Sequence, residues 1–245
     1  MTSAPVAAVP ALALISIIIP TYREAGHIGP LLRQLRDAAG SDAALELLVA
    51  DGHSPDATAA EAAQAGARVV LCPCKGRAAQ LNFGASEAAG SILYFLHADT
   101  YPPAGFTAHI RAAVAAGAGA GCYRLRFDHP NWFLQASAWF TRFPQEVFRF
   151  GDQSLFVGRE VFEQAGGYRE DMVVFEDQEI TRRLKQVAPF RVLPATIVTS
   201  ARKYRENGVW RLQGIYCLIT AMYRLGMSQQ QMVRVYRKLI RQDKV

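Results

Sequence analysis

Between residues 15 and 96, four short apolar runs alternate with segments of helical length, and this rhythm constrains the fold more than any other feature of the chain. ISIIIP at 15–20 is β-branched, apolar apart from Ser16 and closed by proline, the pattern of a strand buried on both faces. HIGPLLRQLRDAAG follows, with Ile28, Leu31, Leu32 and Leu35 at helical spacing and a glycine at its end. LELLVADG at 45–52 repeats the strand and PDATAAEAAQAG the helix; ARVVLC, GRAAQLNFGASEAAG and SILYFL then give strand, helix and strand. Such alternation predicts βαβ units with right-handed crossovers, hence an α/β fold with a mostly parallel sheet flanked by helices.

In an open parallel sheet, ligands bind outside the carboxyl ends of the strands, and here those ends are polar. Pro20, Thr21, Tyr22, Arg23 and Glu24 close the first strand, and Asp51, Gly52, His53, Ser54 and Asp56 the second. Lys75, Gly76 and Arg77 follow the third, and the fourth runs through YFLHADTYPP into His97 and Asp99. Some of these suit helix capping: Ser54 or Asp56 before the helix near Pro55, and Thr100 before one near Pro102. Asp51 and Asp99 do not directly precede a helix, which makes them the stronger candidates for chemistry. A strand-end carboxylate with Lys75 and Arg77 converging on it suits a diphosphate bound through Mg²⁺ or Mn²⁺, with Asp99 as the protein's metal ligand. His97 has three readings: a nitrogen ligand better suited to manganese, a ribose contact, or a filler of the site.

Composition fits one large domain, or one with an appended subdomain. The 245 residues suffice for a full core, and 51% hydrophobic against 20% charged residues is ordinary for a globular protein. Cys72, Cys74, Cys122 and Cys217 match neither a zinc-site spacing nor a dense disulfide framework, so reduced thiols in a cytoplasm fit best. MTSAPVAAVPALAL lacks a basic n-region and reads as a flexible tail over residues 1–13. No stretch reaches the roughly 18–20 uncharged apolar residues of a spanning helix.

SIIIPTYREAGHI, VADGHSPDAT, CKGRAAQLNFGASEAAG and YFLHADT, in this order, resemble the successive motifs of family 2 glycosyltransferases. The resemblance covers about residues 14–205. It implies a GT-A fold, a Rossmann-like sheet with C-terminal helices, and a nucleotide-diphospho-sugar donor, UDP-sugar first. It places Pro20, Tyr22 and Glu24 beside the nucleotide, Asp51 on the base edge, and Lys75 and Arg77 near the nucleotide or phosphates. Asp99 becomes the metal-binding end of the D-x-D motif. The chain departs from that motif at His97, which stands where the first aspartate is usual and removes one negative charge. The triplet HAD is similar to that of a small subgroup associated with radical SAM and selenium-domain proteins.

The resemblance divides the chain into a nucleotide-sugar half (14–103), an acceptor half (104–208) and a helical extension (209–245). In the acceptor half, GAGAGCYRLRF reads as a glycine-flexed strand, NWFLQASAWFTRF as an aromatic amphipathic helix, and RFGDQSLFVGREVFEQAGGY as a turn, a strand and a helix. Trp132, Phe133, Trp139 and Phe140 suit a core stripe or an apolar acceptor groove. Glu176 and Asp177 open a helix, where negative charge is favourable for the macrodipole alone; the resemblance further implies a general base on Asp177. It likewise implies that Gly151, Asp152 and Gln153 form an acceptor-side loop, and that SARKYRENGVWR, with Arg202, folds toward the donor phosphates.

These residues describe an inverting, metal-dependent transfer to a hydroxyl, or to a lipid phosphate that needs no base. A net charge of +6 gathers late in the chain, at Arg224, Arg234, Arg237, Lys238, Arg241 and Lys244. That allows a peripheral contact of the basic terminal helices with the inner face of a membrane, whereas nothing in the pattern suggests nucleic-acid binding. Two other classes stand beside the transferase: a nucleotidyltransferase, which needs a glycine-rich phosphate loop that IIIPTYREAGHI lacks, and a nucleotide-binding scaffold without turnover, for which His97 is the hint. No G-x-G-x-x-G follows the first strand, which argues against a dinucleotide-binding dehydrogenase.

Overall fold

The computed structural model of the chain describes residues 13–241. The expected tail lies outside these residues except for Ala13, which is buried and accepts a hydrogen bond from Arg111 Nε at 2.9 Å. Lys244 lies outside them too.

The predicted rhythm folds as β1 (Ile15–Thr21), α1 (Ile28–Ala39), β2 (Leu45–Asp51), α2 (Thr58–Gln64), β3 (Arg68–Leu71), α3 (Arg77–Glu87) and β4 (Ile92–Phe95). After it come β5 (Thr100–Tyr101), α4 (Phe106–Ala115), β6 (Ala120–Phe127), α5 (Trp132–Trp139), β7 (Leu155–Gly158) and α6 (Arg159–Gln164). The chain continues through α7 (Glu176–Val187), β8 (Phe190–Thr199), α8 (Arg202–Asn207), α9 (Val209–Arg224) and α10 (Gln229–Leu239). Among the described residues the strands form one sheet in the order β3-β2-β1-β4-β7-β6-β8-β5. β1 runs parallel to β2 and β4, β2 to β3 and β6 to β8, while β7 is antiparallel to both of its neighbours and β5 to β8.

The period of two in β1 divides the core. Ile15, Ile17 and Ile19 face Leu31, Leu32 and Leu35 of α1, whereas Ile18 joins Leu81 and Ala85 of α3 on the other side. Each fully buried Ile or Leu contributes roughly 1.5–3 kcal/mol. A Cβ at Gly84 would lie 2.5 Å from Ile18 Cγ2, so α3 packs this closely on β1 only because that position has no side chain.

Some local expectations are corrected. Thr100 does not cap a helix: it lies in β5 opposite Thr199, and α4 begins after Gly105. Ser54 turns to Asp51 rather than to α2, while Asp56 does accept a hydrogen bond from Thr58 N (3.2 Å) at the start of that helix. Trp132, Trp139 and Phe140 are exposed, so α5 does not bury an aromatic stripe. β8 escapes the periodicity because Pro194 interrupts it; the pairing with β6 shifts register there, from Tyr123↔Leu193 to Arg124↔Thr196. α9 and α10 form a separate apolar cluster, with Leu212, Ile215, Ile219 and Met222 packed on Met232 and Ile240.

Candidate active site

Strand order reverses beside β1: β2 and β3 lie to one side and β4 to the other, so the loops after β1 and β4 diverge and leave a crevice. The antiparallel register of β4 with β7 pairs Phe95 with Leu155, which sets the residues after β4 against those before β7. His97 Nδ1 consequently meets Asp152 Oδ1 at 3.1 Å. The pairing of Thr100 with Thr199, continued by Ser200 N donating to Asp99 O (3.0 Å), brings the start of α8 to the same place.

His97, Asp99 and Asp152 each offer a ligand atom, and these atoms lie within 4.8 Å of one another. Burial and the neighbouring Asp152 push the Asp99 carboxyl above the usual carboxylate range. Burial opposes the charge on Asp152 most strongly, but the hydrogen bond from His97 and the charges of His97, Lys203 and Arg77 together overcome it and hold Asp152 below that range. Lys203 remains charged because Tyr236, Asp152 and Asp99 overcome the cost of its burial. The site is therefore crowded with negative charge around Asp99, and an imidazole with two carboxylates is a donor set that Mn²⁺ accepts. Asp152, expected on the acceptor side, instead places a second carboxylate beside His97 and Asp99.

The second cluster stands across Gly151. A Cβ there would lie 2.6 Å from His97 Nε2 and closer still to Asp177 Oδ2, so the glycine lets the imidazole and the carboxylate approach from either side. Asp177 and Glu176 occupy the first turn of α7, and burial raises the Glu176 carboxyl above its ordinary range. Arg77 Nε donates to Glu176 Oε1 at 2.6 Å, and its Nη2 lies 3.5 Å from Asp177 Oδ2. Burial works against the guanidinium charge, yet Glu176 and then Asp177 raise its pKa above the ordinary arginine value. Arg77 thus serves the carboxylate pair. Asp177 is partly accessible while Glu176 is buried, so Asp177 is the member of the pair that a substrate can reach.

The remaining candidates fall into place around this centre. Asp51 is buried, with Oδ1 accepting from Thr21 (2.9 Å) and Ser54 Oγ (2.6 Å) and Oδ2 from Ser54 N (2.7 Å). Pro20 and Tyr22 are half-buried at the end of β1, and Glu24 reaches Arg202 of α8 at 3.9 Å. Lys75 is exposed on the loop before α3. Gln153 is buried and donates to Tyr123 O at 3.0 Å, so it fixes the Gly151 loop to β6. Trp132 is exposed beside Trp210, with ring centroids 6.2 Å apart. Lys203 belongs to the stretch SARKYRENGVWR that the resemblance turns toward the donor phosphates, and the β5–β8 pairing brings that stretch beside Asp99 and Asp152.

Residues 16–169 match the family described as "Glycosyl transferase family 2", more than half of the chain. No curated protein sequence matches it. Among solved structures, the chain is similar to a mannosyltransferase from Pyrobaculum calidifontis in complex with GDP-Man and Mn²⁺: TM-score 0.66, 21% identity, covering 93% of this chain and 70% of that one. It is similar to S. aureus TarS 1-349 in complex with UDP-GlcNAc, with a TM-score of 0.63 at 17% identity over 77% of this chain and 59% of that chain. A third similar structure is glucosyl-3-phosphoglycerate synthase from Mycobacterium tuberculosis with Mn²⁺, UDP and glucosyl-3-phosphoglycerate: TM-score 0.59, 16% identity, 88% of this chain and 81% of that one. The nucleotidyltransferase and scaffold readings lose their ground with the family match, and the chain belongs to glycosyl transferase family 2, as a glycosyltransferase on a GT-A fold.

Proposed function

We propose that the protein transfers a sugar, with inversion at the anomeric carbon, from a nucleotide-diphospho-sugar to a hydroxyl or lipid-phosphate acceptor, with a UDP-sugar as the first donor to test. The observation that carries this reading is the apposition of two clusters across Gly151: a metal-type group of His97, Asp99 and Asp152, and the Glu176–Asp177 pair at the head of α7. Similar structures hold GDP-Man, UDP-GlcNAc or UDP, and two of them hold Mn²⁺. A Mn²⁺ or Mg²⁺ ion held by Asp99, Asp152 and His97 would supply positive charge against the departing diphosphate.

The chain's own residues do the rest. Asp177 takes the proton from the acceptor hydroxyl while that oxygen attacks the anomeric carbon opposite the leaving group. Arg77 holds Glu176 and steadies Asp177; Lys203 and Arg202 bring cationic hydrogen-bond donors to the phosphate side. Tyr22, Glu24 and Asp51 border the nucleoside. The HAD triplet supports a place in the subgroup associated with radical SAM and selenium-domain proteins.

Asp177→Asn tests the base. Donor affinity should be unchanged and transfer to a hydroxyl should fall about 10²- to 10⁴-fold; undiminished transfer to that hydroxyl removes Asp177 from the role of base. A panel of nucleotide sugars with Mn²⁺ tests the whole reading, which fails if none binds.

A further inference from the structure

The face that α5 turns to water is as apolar as the face it buries. Leu134 and Ala138 point inward, whereas Trp132 (69% exposed), Ala136 and Trp139 (47%) point outward at helical spacing, and WFLQASAW carries no charge. The aromatic surface continues past the helix through Phe140, Phe143, Val147 and Phe150, all exposed. Its rings pack on one another, with Trp139–Phe143 centroids 5.2 Å apart and Phe140–Phe148 centroids 5.6 Å apart. At the other end Trp132 meets Trp210, itself 63% exposed. Among the described residues, every exposed large hydrophobic except Leu71 lies at or after Trp132. Soluble surfaces do not ordinarily gather apolar side chains in this way.

Charge indicates what covers this face. The Arg142 guanidinium lies over the Trp139 ring at 4.1 Å, and Lys185 Nζ donates to Pro144 O at 2.6 Å. Arg211, next to Trp210, donates to Leu239 O at 2.6 Å, which ties the end of α10 with Lys238 and Arg241 to the same edge. From Arg202 to Arg241 the sequence sets nine lysines and arginines against one acid, Glu206. Tryptophan and phenylalanine rimmed by arginine and lysine match the headgroup layer of an anionic bilayer, where aromatic rings sit at the water boundary and cations meet lipid phosphates.

We propose that α5 and the segment through Phe150 dock on an anionic membrane surface. Phe150 lines the same pocket as His97, Gly151 and Asp177, so docking sets the mouth of that pocket at the headgroup plane. Resting on the transferase reading above, this makes a lipid-anchored acceptor the substrate class that the site serves.

The test uses the full chain, whose only three tryptophans, Trp132, Trp139 and Trp210, all lie on this face. Mixed with phosphatidylglycerol–phosphatidylcholine vesicles, the protein should co-sediment and its tryptophan emission should shift to the blue. Pure phosphatidylcholine should bind it far less. Trp132→Ser with Trp139→Ser, both at exposed positions, should weaken vesicle binding about tenfold or more while leaving UDP-sugar binding in solution unchanged. No vesicle binding at low salt overturns the proposal, as does undiminished binding by the double variant, which would assign the contact to the basic helices. A concentration-dependent dimer abolished by the same double variant would also overturn it, in favour of a second copy of the chain. Loss of nucleotide-sugar binding in every form of the protein would instead strike the transferase reading and leave the docking result standing.

Discussion

At the scale of single residues the site turns on Gly151. Its missing Cβ is the space through which Asp177 and His97 approach, so Gly151→Ala should displace one or both. We expect a folded protein of near-normal stability whose transfer rate falls about tenfold or more, since small misplacements at a reacting centre are costly; thermal unfolding beside steady-state kinetics checks this. Asp99 was legible from sequence because it follows a strand with charge at a position that capping alone does not demand, whereas Asp177, at a helix start where the macrodipole alone favours a carboxylate, was marked only by the family resemblance. Asp152 was legible as a site residue but not as a partner of His97. That pairing depends on the antiparallel β4–β7 register, which joins residues 55 positions apart.

At the scale of elements, the position of α7 depends on the two terminal helices. Phe175, just before Glu176, adopts a left-handed φ of 66°, a conformation costly for a bulky side chain. Tyr223 of α9 packs on its ring with centroids 4.7 Å apart. Gln229, the first residue of α10, accepts from Val173 N and Val174 N at 3.1 Å each and donates to Val174 O at 3.2 Å. The loop entering α7 is thus held in a strained shape by side chains remote in sequence. Gln229→Ala should lower kcat with little change in donor affinity, and Gln229→Glu, which keeps the acceptor oxygens, should recover part of the loss. Equal losses in both variants, or a change confined to donor affinity, would contradict this. The first seven elements were legible because each carries its own period, β-branched for strands and 3.6 for helices. β8 was not, since Pro194 breaks its pattern and only the register shift against β6 accommodates it.

At the scale of the molecule, the sheet brings the donor crevice, the Gly151 loop and α8 to one place, while pairs remote from the site hold the layers together. Arg111 of α4 bridges to Asp42, Ala13 O and Ala44 O, tying helix, loop and the start of the chain. The hydrogen bond from Arg111 lowers the Asp42 pKa from its ordinary 3.8. A carboxylate with a depressed folded pKa stabilises the fold fully above its unfolded value and loses that contribution as pH falls through the folded one. Arg111→Met should therefore cost about 2 kcal/mol at neutral pH and flatten the loss of stability below about pH 4, as denaturant unfolding across pH would show. The composition signalled the basic second half, but only the fold shows that aromatic and basic surfaces adjoin.

The central claim is that His97, Asp99 and Asp152 together hold the cation that a nucleotide-diphospho-sugar needs. Calorimetric titration of UDP with and without Mn²⁺, on the unaltered chain and on Asp152→Asn, tests it most directly. The account predicts that Mn²⁺ strengthens UDP binding in the unaltered protein and that Asp152→Asn loses most of that gain. UDP binding indifferent to Mn²⁺, or a gain that survives the substitution intact, would contradict it.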